Sequence, residues 1–503
     1  MTQPLTHVSL PVSAKSVPAP LVRTLPADLE TPVSIYLKLA NGSPSFLLES
    51  VTGGEQVARY SFIGVRPRRI YRIEGDRLIV SDLQGREEYY SGEPFKQLER
   101  LFSAKKRPVL PGLPRFSGGL VGYLGYEMVR YFEAGIGTLP AQYEYPDALL
   151  LEVDTLAAFD HAFGKIILIA HPEPALPRNE AQQEAEQRLD ELQASLRKPL
   201  ELPLSYPSHA EMTTMKSNMS REQFLSAVEQ AKEAIRAGEI FQVVLSQRFS
   251  RTTSAHPFEI YRALRRLNPS PYMFYFDFAN STAGEPLRLI GASPEMHVRL
   301  SGNTATIRPI AGTRPRGTTP EADLQLEKDL LADPKERAEH VMLVDLARND
   351  LGRVCTYGSV QVREQMTIER YSHVMHIVSQ VEGTLRPELN AFDLMRATFP
   401  AGTVSGAPKV RAMQIIRDLE PTPRGVYAGA VGYFAFDGSM DTCIAIRTLV
   451  MQGKRISVQA GAGIVADSEP EREYQETLNK ARALAQAIEI AEKPEEHHVA
   501  YSG

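Results

Sequence analysis

Cysteine is scarce in this chain of 503 residues: there are two, Cys355 and Cys443, far apart in sequence. That excludes a disulfide framework and a cysteine-built metal cluster. Charge of one sign is not in excess either. Lys and Arg total 56 against 61 Asp and Glu, a formal charge of -5, so there is no electrostatic footprint for nucleic acid or a membrane surface. Short basic runs such as Arg66-Pro67-Arg68-Arg69 read as solvated faces. The N-terminal stretch MTQPLTHVSLPVSAKSVPAP lacks the charged and apolar regions of a secretory signal, and no apolar run reaches the roughly 18 residues of a membrane span. Several catalytic signatures are missing too. No GxSxG elbow and no HExxH pair occurs, FPAGTVSGAPK lacks the terminal GK[ST] of a Walker loop, and no GxGxxG opens a βαβ unit. Serine hydrolase, zinc protease, ATPase and dinucleotide readings lose their support. What remains is a soluble, cytoplasmic chain of enzyme size, 43% hydrophobic and 23% charged, with ample length to bury a core.

The apolar pattern divides the chain. Residues 1–20 carry four prolines and little periodicity, a loose arm. From 21 to 170, short runs such as VSIYLKLA, SFLLES, RLIVSDL and KIILIA alternate with Gly and Pro turns, the signature of sheet-rich structure. Residues 171–219 hold a polar helix over about Asn179–Arg197 and then few apolar anchors, which reads as a linker. From 220 to 492 helices and strands resume, and 493–503 is a frayed tail. In this second half, Ser220 and Gln223 form a capping box for a helix whose stripe is Phe224, Leu225, Val228, Ala231 and Ile235. The strand that follows places Phe241, Val243 and Leu245 on one face and Gln242, Val244 and Ser246 on the other.

Candidate chemistry concentrates in that half. Asp333, Pro334 and Glu336 start a helix that stops at Gly352, and Glu339 shares its apolar face with Met342, Leu343 and Leu346. A carboxylate there is a boundary residue, a salt-bridge partner or a metal ligand. The last helix, with Ser468 and Glu471 as its capping box and Tyr474, Leu478, Ala481, Ala485 and Ile488 as its stripe, carries Glu473, Glu476 and Lys480 on one side. Those three are a solvated charged face or half of a hard-cation site. Just before it, a strand ends in Gly461-Ala462-Gly463, which is a tight turn or a cradle letting backbone N–H groups approach an anion. FPAGTVSGAPK places Thr403 at a helix N-terminus, an anion-friendly position. His373 and His376 read as strand residues on opposite faces, with a satisfied core histidine as the plain alternative to acid–base work.

Taken together, GEIFQVVLSQRF, NPSPYMFYF, GASPE, IRPIAGTRPRG, AEHVMLVDLARNDLG, SHVMHIVSQVEG, FPAGTVSGAPK, YAGAVGY, AIRT, AGAGIVADS and EYQETLNKA resemble the chorismate-utilising enzymes, and more narrowly their anthranilate synthase component I branch. The likeness is dense over about 220–490 and extends forward through LLES, RYSFIG and FSGGLVGYLGYE. It implies an α+β fold of large, mostly antiparallel sheets packed together and flanked by helices. It also implies Mg²⁺ on Glu339 and Glu476 with Glu473 close by. Chorismate would be held by Gly461, Ala462, Gly463, Arg447 and Tyr427, with Gly312, Thr313 and Lys480 lining or supporting the pocket. Glu295 corresponds to the family's general acid, His376 to the histidine of pyruvate elimination, and Thr403 to the pocket threonine. Leu48, Glu49 and Ser50, facing Asn268, Pro271, Tyr272 and Met273, correspond to a tryptophan feedback site that would make 21–170 a regulatory domain beside a catalytic 220–492.

Two positions choose among relatives. Gln242 stands where water-adding members carry Lys, and Ala311 stands where aminodeoxychorismate synthases carry a nucleophilic Lys. Ammonia addition is what remains, with an aminodeoxyisochorismate synthase as the nearest rival and a silent tryptophan-sensing subunit as the rival of another class. Neither cysteine resembles an amidotransferase nucleophile, so ammonia is expected from a separate glutaminase subunit, in an assembly of two large and two small chains.

Overall fold

The computed structural model describes residues 18–493 except 41, 43, 51–58, 109, 137–143, 203–213, 280, 282–283 and 372–373. Most of the expected N-terminal arm and tail, part of the linker, and His373 lie outside the described residues. Two twelve-stranded sheets dominate, and every strand pairing in them is antiparallel. The first sheet runs from Leu21–Pro26 through Tyr60–Val65 and Ser45–Glu49 to Tyr272–Asp277, Leu287–Ser293, Thr448–Gln452, Arg455–Ile464 and Gln242–Thr252. The second runs from Ile310–Pro315 and Val374–Thr384 through Met296–Ser301, Met440–Ile444 and Ala430–Ala435 to Gly119–Leu124, Ala148–Val153 and Arg69–Glu74. This is the expected α+β class.

Each sheet therefore crosses from the first half of the chain into the second at one seam: Ser45–Glu49 beside Tyr272–Asp277, and Gly119–Leu124 beside Ala430–Ala435. The inner faces meet in an aromatic-rich layer of Phe46, Phe62, Phe116, Phe274, Phe276, Tyr433 and their aliphatic neighbours. Helices cover both outer faces. Ile35, Leu189, Phe258, Leu264, Leu484 and Ile488 pack onto the first sheet, and Phe95, Leu98, Phe392 and Met395 onto the second. Both cysteines are buried and unpaired, and among the described residues no helix is long and apolar enough to cross a membrane.

Local expectations fared unevenly. The Arg178–Leu196 and Pro334–Gly352 helices form, and the Ser220–Gln223 capping box closes over Arg221–Arg236. Phe241 is a correction: it precedes the Gln242–Thr252 strand and is 72% exposed, its N–H donating to Ala407 O at 2.7 Å while its side chain stands in solvent. The last helix, Pro470–Glu492, has no side-chain cap. Ser468 instead accepts from Val465 N and Glu471 pairs with Arg221. Its buried stripe runs through Thr477, Ala481, Leu484 and Ile488. Arg68 is no solvated residue, since it joins Asp154, Glu173 and Glu184 in a half-buried network.

The glycines of FSGGLVGYLGYE and YAGAVGY have a packing reason. Gly122 and Gly432 face each other across the second seam, and a Cβ would stand 2.1 Å from Leu149 O at the first and 2.1 Å from Asp441 O at the second. Backbone cannot yield as a side chain can. Gly432→Ala is expected to destabilise the protein by about 2–3 kcal/mol, the upper range for overpacking, read as an earlier urea midpoint. A loss under about 0.5 kcal/mol would show that the adjoining Met440–Ile444 strand can yield.

Candidate active site

Glu295 follows the Leu287–Ser293 strand at the turn into Met296–Ser301, where Ile444 N donates to its carbonyl at 3.1 Å. The side chain is buried, and burial pushes its pKa from 4.5 up to about 8, opposed only by the Thr403 hydroxyl. Desolvation penalises the charged form, so the group carries a proton at neutral pH. Thr403 lies in the short Gly402–Val404 turn, not at the N-terminus of the Lys409–Leu419 helix as the sequence suggested. Its Oγ1 is buried and completes no hydrogen bond of full geometry. Both residues line a cavity of about 370 Å³ together with Leu343, Leu346 and Ile444.

His376 projects from Val374–Thr384, half-buried, with Tyr371 packed edge-on at 5.5 Å. Its Nδ1 is 3.0 Å from Gly312 O and 3.1 Å from Thr313 Oγ1. A carbonyl only accepts, so Nδ1 carries the hydrogen and Nε2 keeps its lone pair. Burial lowers the imidazole pKa below 6.5, Arg447 adds to that, and the Gly312 carbonyl and Glu369 oppose it.

Gly461-Ala462-Gly463 sits inside the Arg455–Ile464 strand rather than in a loop. Opposite lie Val244 and Ser246, which spend their N–H groups on Ser405 O and Glu420 Oε1. Antiparallel alternation then turns the N–H groups of Gly461 and Gly463 to the other edge, while that of Ala462 stays in the ladder. From that edge Lys480 Nζ reaches Gly461 O at 2.8 Å. The Tyr427 hydroxyl crowds Gly461, where a Cβ would stand 2.6 Å from it. Arg447 makes no side-chain hydrogen bond or ion pair among the described residues. Burial lowers its pKa, with Tyr427 and Glu476 as the opposing influences. A half-buried guanidinium with idle donors beside two outward-facing backbone N–H groups has the chemistry to receive a carboxylate.

The acids expected to hold a metal approach one another only partly. Among the described residues, no group of three His, Cys, Asp or Glu side chains closes into a cluster. Glu339 is half-buried and makes no hydrogen bond or ion pair among the described residues. Burial raises its pKa, and Glu336 and Glu476 raise it further against Lys335 and Lys480. Glu473 is raised by burial and by Glu476. Glu476 is exposed and pairs with Lys480 at 2.6 Å. An unpaired carboxylate that feels a second through like charge offers hard oxygen donors, which suit Mg²⁺ if substrate or water completes the shell.

A second cavity, about 440 Å³, opens between the sheets and is lined by Leu48, Glu49, Ser50, Pro271, Tyr272 and Met273, among others. Asn268, at the end of the Pro257–Leu267 helix, is not among its walls. The Glu49 carboxylate is engaged by Tyr261 and by Arg265 at 2.9 Å, so it braces the wall. Sequence reasoning passed over Arg424, Glu420, Tyr371 and Ser293. A buried ion pair spanning a helix end and a loop has no periodic signal, and Tyr371 and Ser293 stand out by neither spacing nor residue type.

A family model described as chorismate binding enzyme matches residues 43–486. Anthranilate synthase component 1 of Pseudomonas putida is 50% identical over 481 residues, which cover 94% of this chain and 96% of that protein. A solved structure of anthranilate synthase component I from Streptococcus pneumoniae matches with a TM-score of 0.74 at 39% identity, over 85% of this chain and 92% of that one. The menaquinone-specific isochorismate synthase of Escherichia coli shares the fold, with a TM-score of 0.69 at 22% identity over 94% of this chain and 96% of that one.

The His376 geometry is checked by ¹⁵N NMR. The ring is expected to titrate below 6.5 and, when neutral, to carry its hydrogen on Nδ1. A midpoint at or above 6.5, or an Nε2-protonated ring, would remove it as a neutral base.

Proposed function

The chain belongs to the chorismate binding enzyme family, and from that premise we propose that it is the large subunit of an anthranilate synthase, converting chorismate and ammonia to anthranilate, pyruvate and water in tryptophan biosynthesis. The observation that carries the reading is Glu295, a buried carboxyl holding a proton at neutral pH. Ammonia adds at C2 of chorismate, the ring double bonds shift, and the C4 hydroxyl departs with the Glu295 proton as water. Thr403 beside it can hydrogen-bond the departing oxygen. The His376 Nε2 lone pair then takes the C2 proton, and the electrons left behind aromatise the ring as the C3 enolpyruvyl oxygen departs to become pyruvate. Arg447, with the N–H groups of Gly461 and Gly463 and the Tyr427 hydroxyl, anchors a carboxylate of the substrate throughout. Glu339 and Glu476, with Glu473 alongside, would hold Mg²⁺, which when bound supplies a positive charge to neutralise the other carboxylate.

Ammonia is favoured over water because Gln242 and Ala311 are both buried, and neither an amide nor a methyl can deprotonate water or attack carbon. Burial also raises both thiols, Cys355 to about 11, so neither is poised as a glutaminase nucleophile. A separate glutaminase subunit supplies ammonia in this reading, in a cytoplasmic complex of two large and two small chains, and tryptophan occupies the cavity between the sheets as a feedback inhibitor.

The test incubates the purified chain with chorismate, Mg²⁺ and an ammonium salt. Equal release of anthranilate and pyruvate is expected. An amino product without pyruvate would replace this reading with an aminodeoxyisochorismate synthase, and no turnover even with a glutaminase subunit would leave a sensor. At fixed free ammonia, the rate is expected to fall as pH rises through about 8, where Glu295 loses its proton. Glu295→Gln should cost about 10²–10⁴-fold in kcat, and a variant within tenfold of the parent would remove Glu295 as the acid. Glu339→Gln is expected to abolish Mg²⁺ binding by calorimetry as well as activity. Unchanged Mg²⁺ affinity would sink the metal assignment.

A further inference from the structure

The two cavities share a wall. Along Met440–Ile444, side chains alternate between the faces of the second sheet. Asp441 and Cys443 line the cavity between the sheets, and Ile444 lines the one that holds Glu295. The Tyr272 hydroxyl, in the cavity between the sheets, donates to Asp441 at 3.0 Å, and Arg299 Nε grips the same carboxylate at 3.0 Å. Both structural routes from this cavity to the acid converge on one residue. Tyr272 is the ladder partner of Ser293. Ser293 is fully buried, and its hydroxyl donates to Ile444 O at 2.7 Å. The same oxygen lies 3.4 Å from Glu295 N and beside the Cys443 thiol. Ile444 N in turn donates to Glu295 O. The acid thus hangs on a two-point clamp between Ser293 and Ile444, and the back of that clamp is the wall of the other cavity.

We propose that Ser293 is the positioning residue that holds Glu295 in its buried site, and that a ligand between the sheets acts on the acid by displacing Ser293 and the Met440–Ile444 strand. The coupling half rests on the reading above in which tryptophan is that ligand; the positioning half stands without it. Contacts that differ between two arrangements of one strand are what coupling requires. Here the arrangement that fits an occupied cavity need only shift a strand whose opposite face touches the acid.

The test compares the parent with Ser293→Ala and with Ser293→Cys, which keeps volume and a weak donor if the alanine variant folds poorly. Steady-state rates are taken across pH with chorismate, Mg²⁺ and fixed free ammonia. In Ser293→Ala, loosening the clamp lets the carboxyl meet water, so the alkaline limb should move down by about one pH unit. The kcat at pH 7.5 should fall about tenfold while KM for chorismate stays within about twofold. Ser293→Cys should lie between. Because the chain contains no tryptophan, the fluorescence of added tryptophan reports its own binding. Affinity for it should stay within about threefold of the parent while residual activity at saturation rises at least about fivefold relative to each protein's unliganded rate. An alkaline limb unmoved in both variants would overturn the positioning role. Inhibition lost in step with binding, or tryptophan failing to bind the parent, would overturn the coupling, and the second result would refute the feedback reading itself while leaving the pH limb to judge Ser293.

Discussion

The site is held together by one buried ion pair. Arg424 and Glu420 have side chains 1% and 6% exposed, and between them they satisfy nearly everything nearby. The guanidinium donates to Glu420 through Nε and Nη2, to Val404 O at 2.7 Å and to Val244 O at 2.7 Å. Glu420 also accepts from Ser246 N and Oγ at 2.8 Å. The rings of Tyr126 and Tyr427 flank the cation at 4.7 and 5.5 Å. Through these contacts one pair fixes the turn that carries Thr403, the tyrosine against Gly461, and the strand opposite the glycines. The pair matters less for stability than for geometry, since a buried ion pair gains little over an apolar replacement while removing one partner strands a charge. It also frees the anion slot: Ser246 spends its N–H on Glu420 instead of the ladder, and so leaves Gly461 facing outward.

Much of this was legible in the sequence, for physical reasons that differ by element. The Pro334–Gly352 helix announces itself through Asp333, Pro334 and an apolar stripe, because caps and periodicity are local. The fold class was legible through ordered motifs, and Gly122 and Gly432 show a physical reason for their glycines: a Cβ at either would run into the backbone of an adjoining strand. What stayed hidden was non-local. Phe241 continues the alternating pattern of its strand in sequence, yet it stands at the strand's entry with its side chain in solvent. Ser468 and Glu471 have capping-box spacing, but each has a better partner elsewhere, in Val465 N and Arg221. Arg68 looks like part of a basic surface run until Asp154, Glu173 and Glu184 fold around it. The domain picture has the same limit, because both sheets are completed across the halves and no composition change marks a shared sheet.

The site's carboxylates show why residue type alone does not assign a role. Glu295 and Glu339 are both raised by burial, but they differ in what else surrounds them. Glu295 is raised by burial alone and eased only by the Thr403 hydroxyl. Nothing there rewards ionisation, and the group settles as a neutral acid able to give up its proton. Glu339 stands among Glu336, Glu476, Lys335 and Lys480, at the edge of an open cleft. Its raised pKa comes partly from like charge, a penalty that an arriving cation removes. The same side chain is thus kept neutral by isolation at one position and, in the proposed metal site, primed for a cation by crowding at the other. The two settings differ in place as well: Glu295 lies behind the wall of the cavity between the sheets, while Glu339 is half-buried and Glu476 exposed. A proton donor tuned by burial is sensitive to small changes in packing, whereas a set of half-exposed carboxylates can adjust to its ion. A cavity placed against Glu295 lies where a small displacement has the larger effect on protonation.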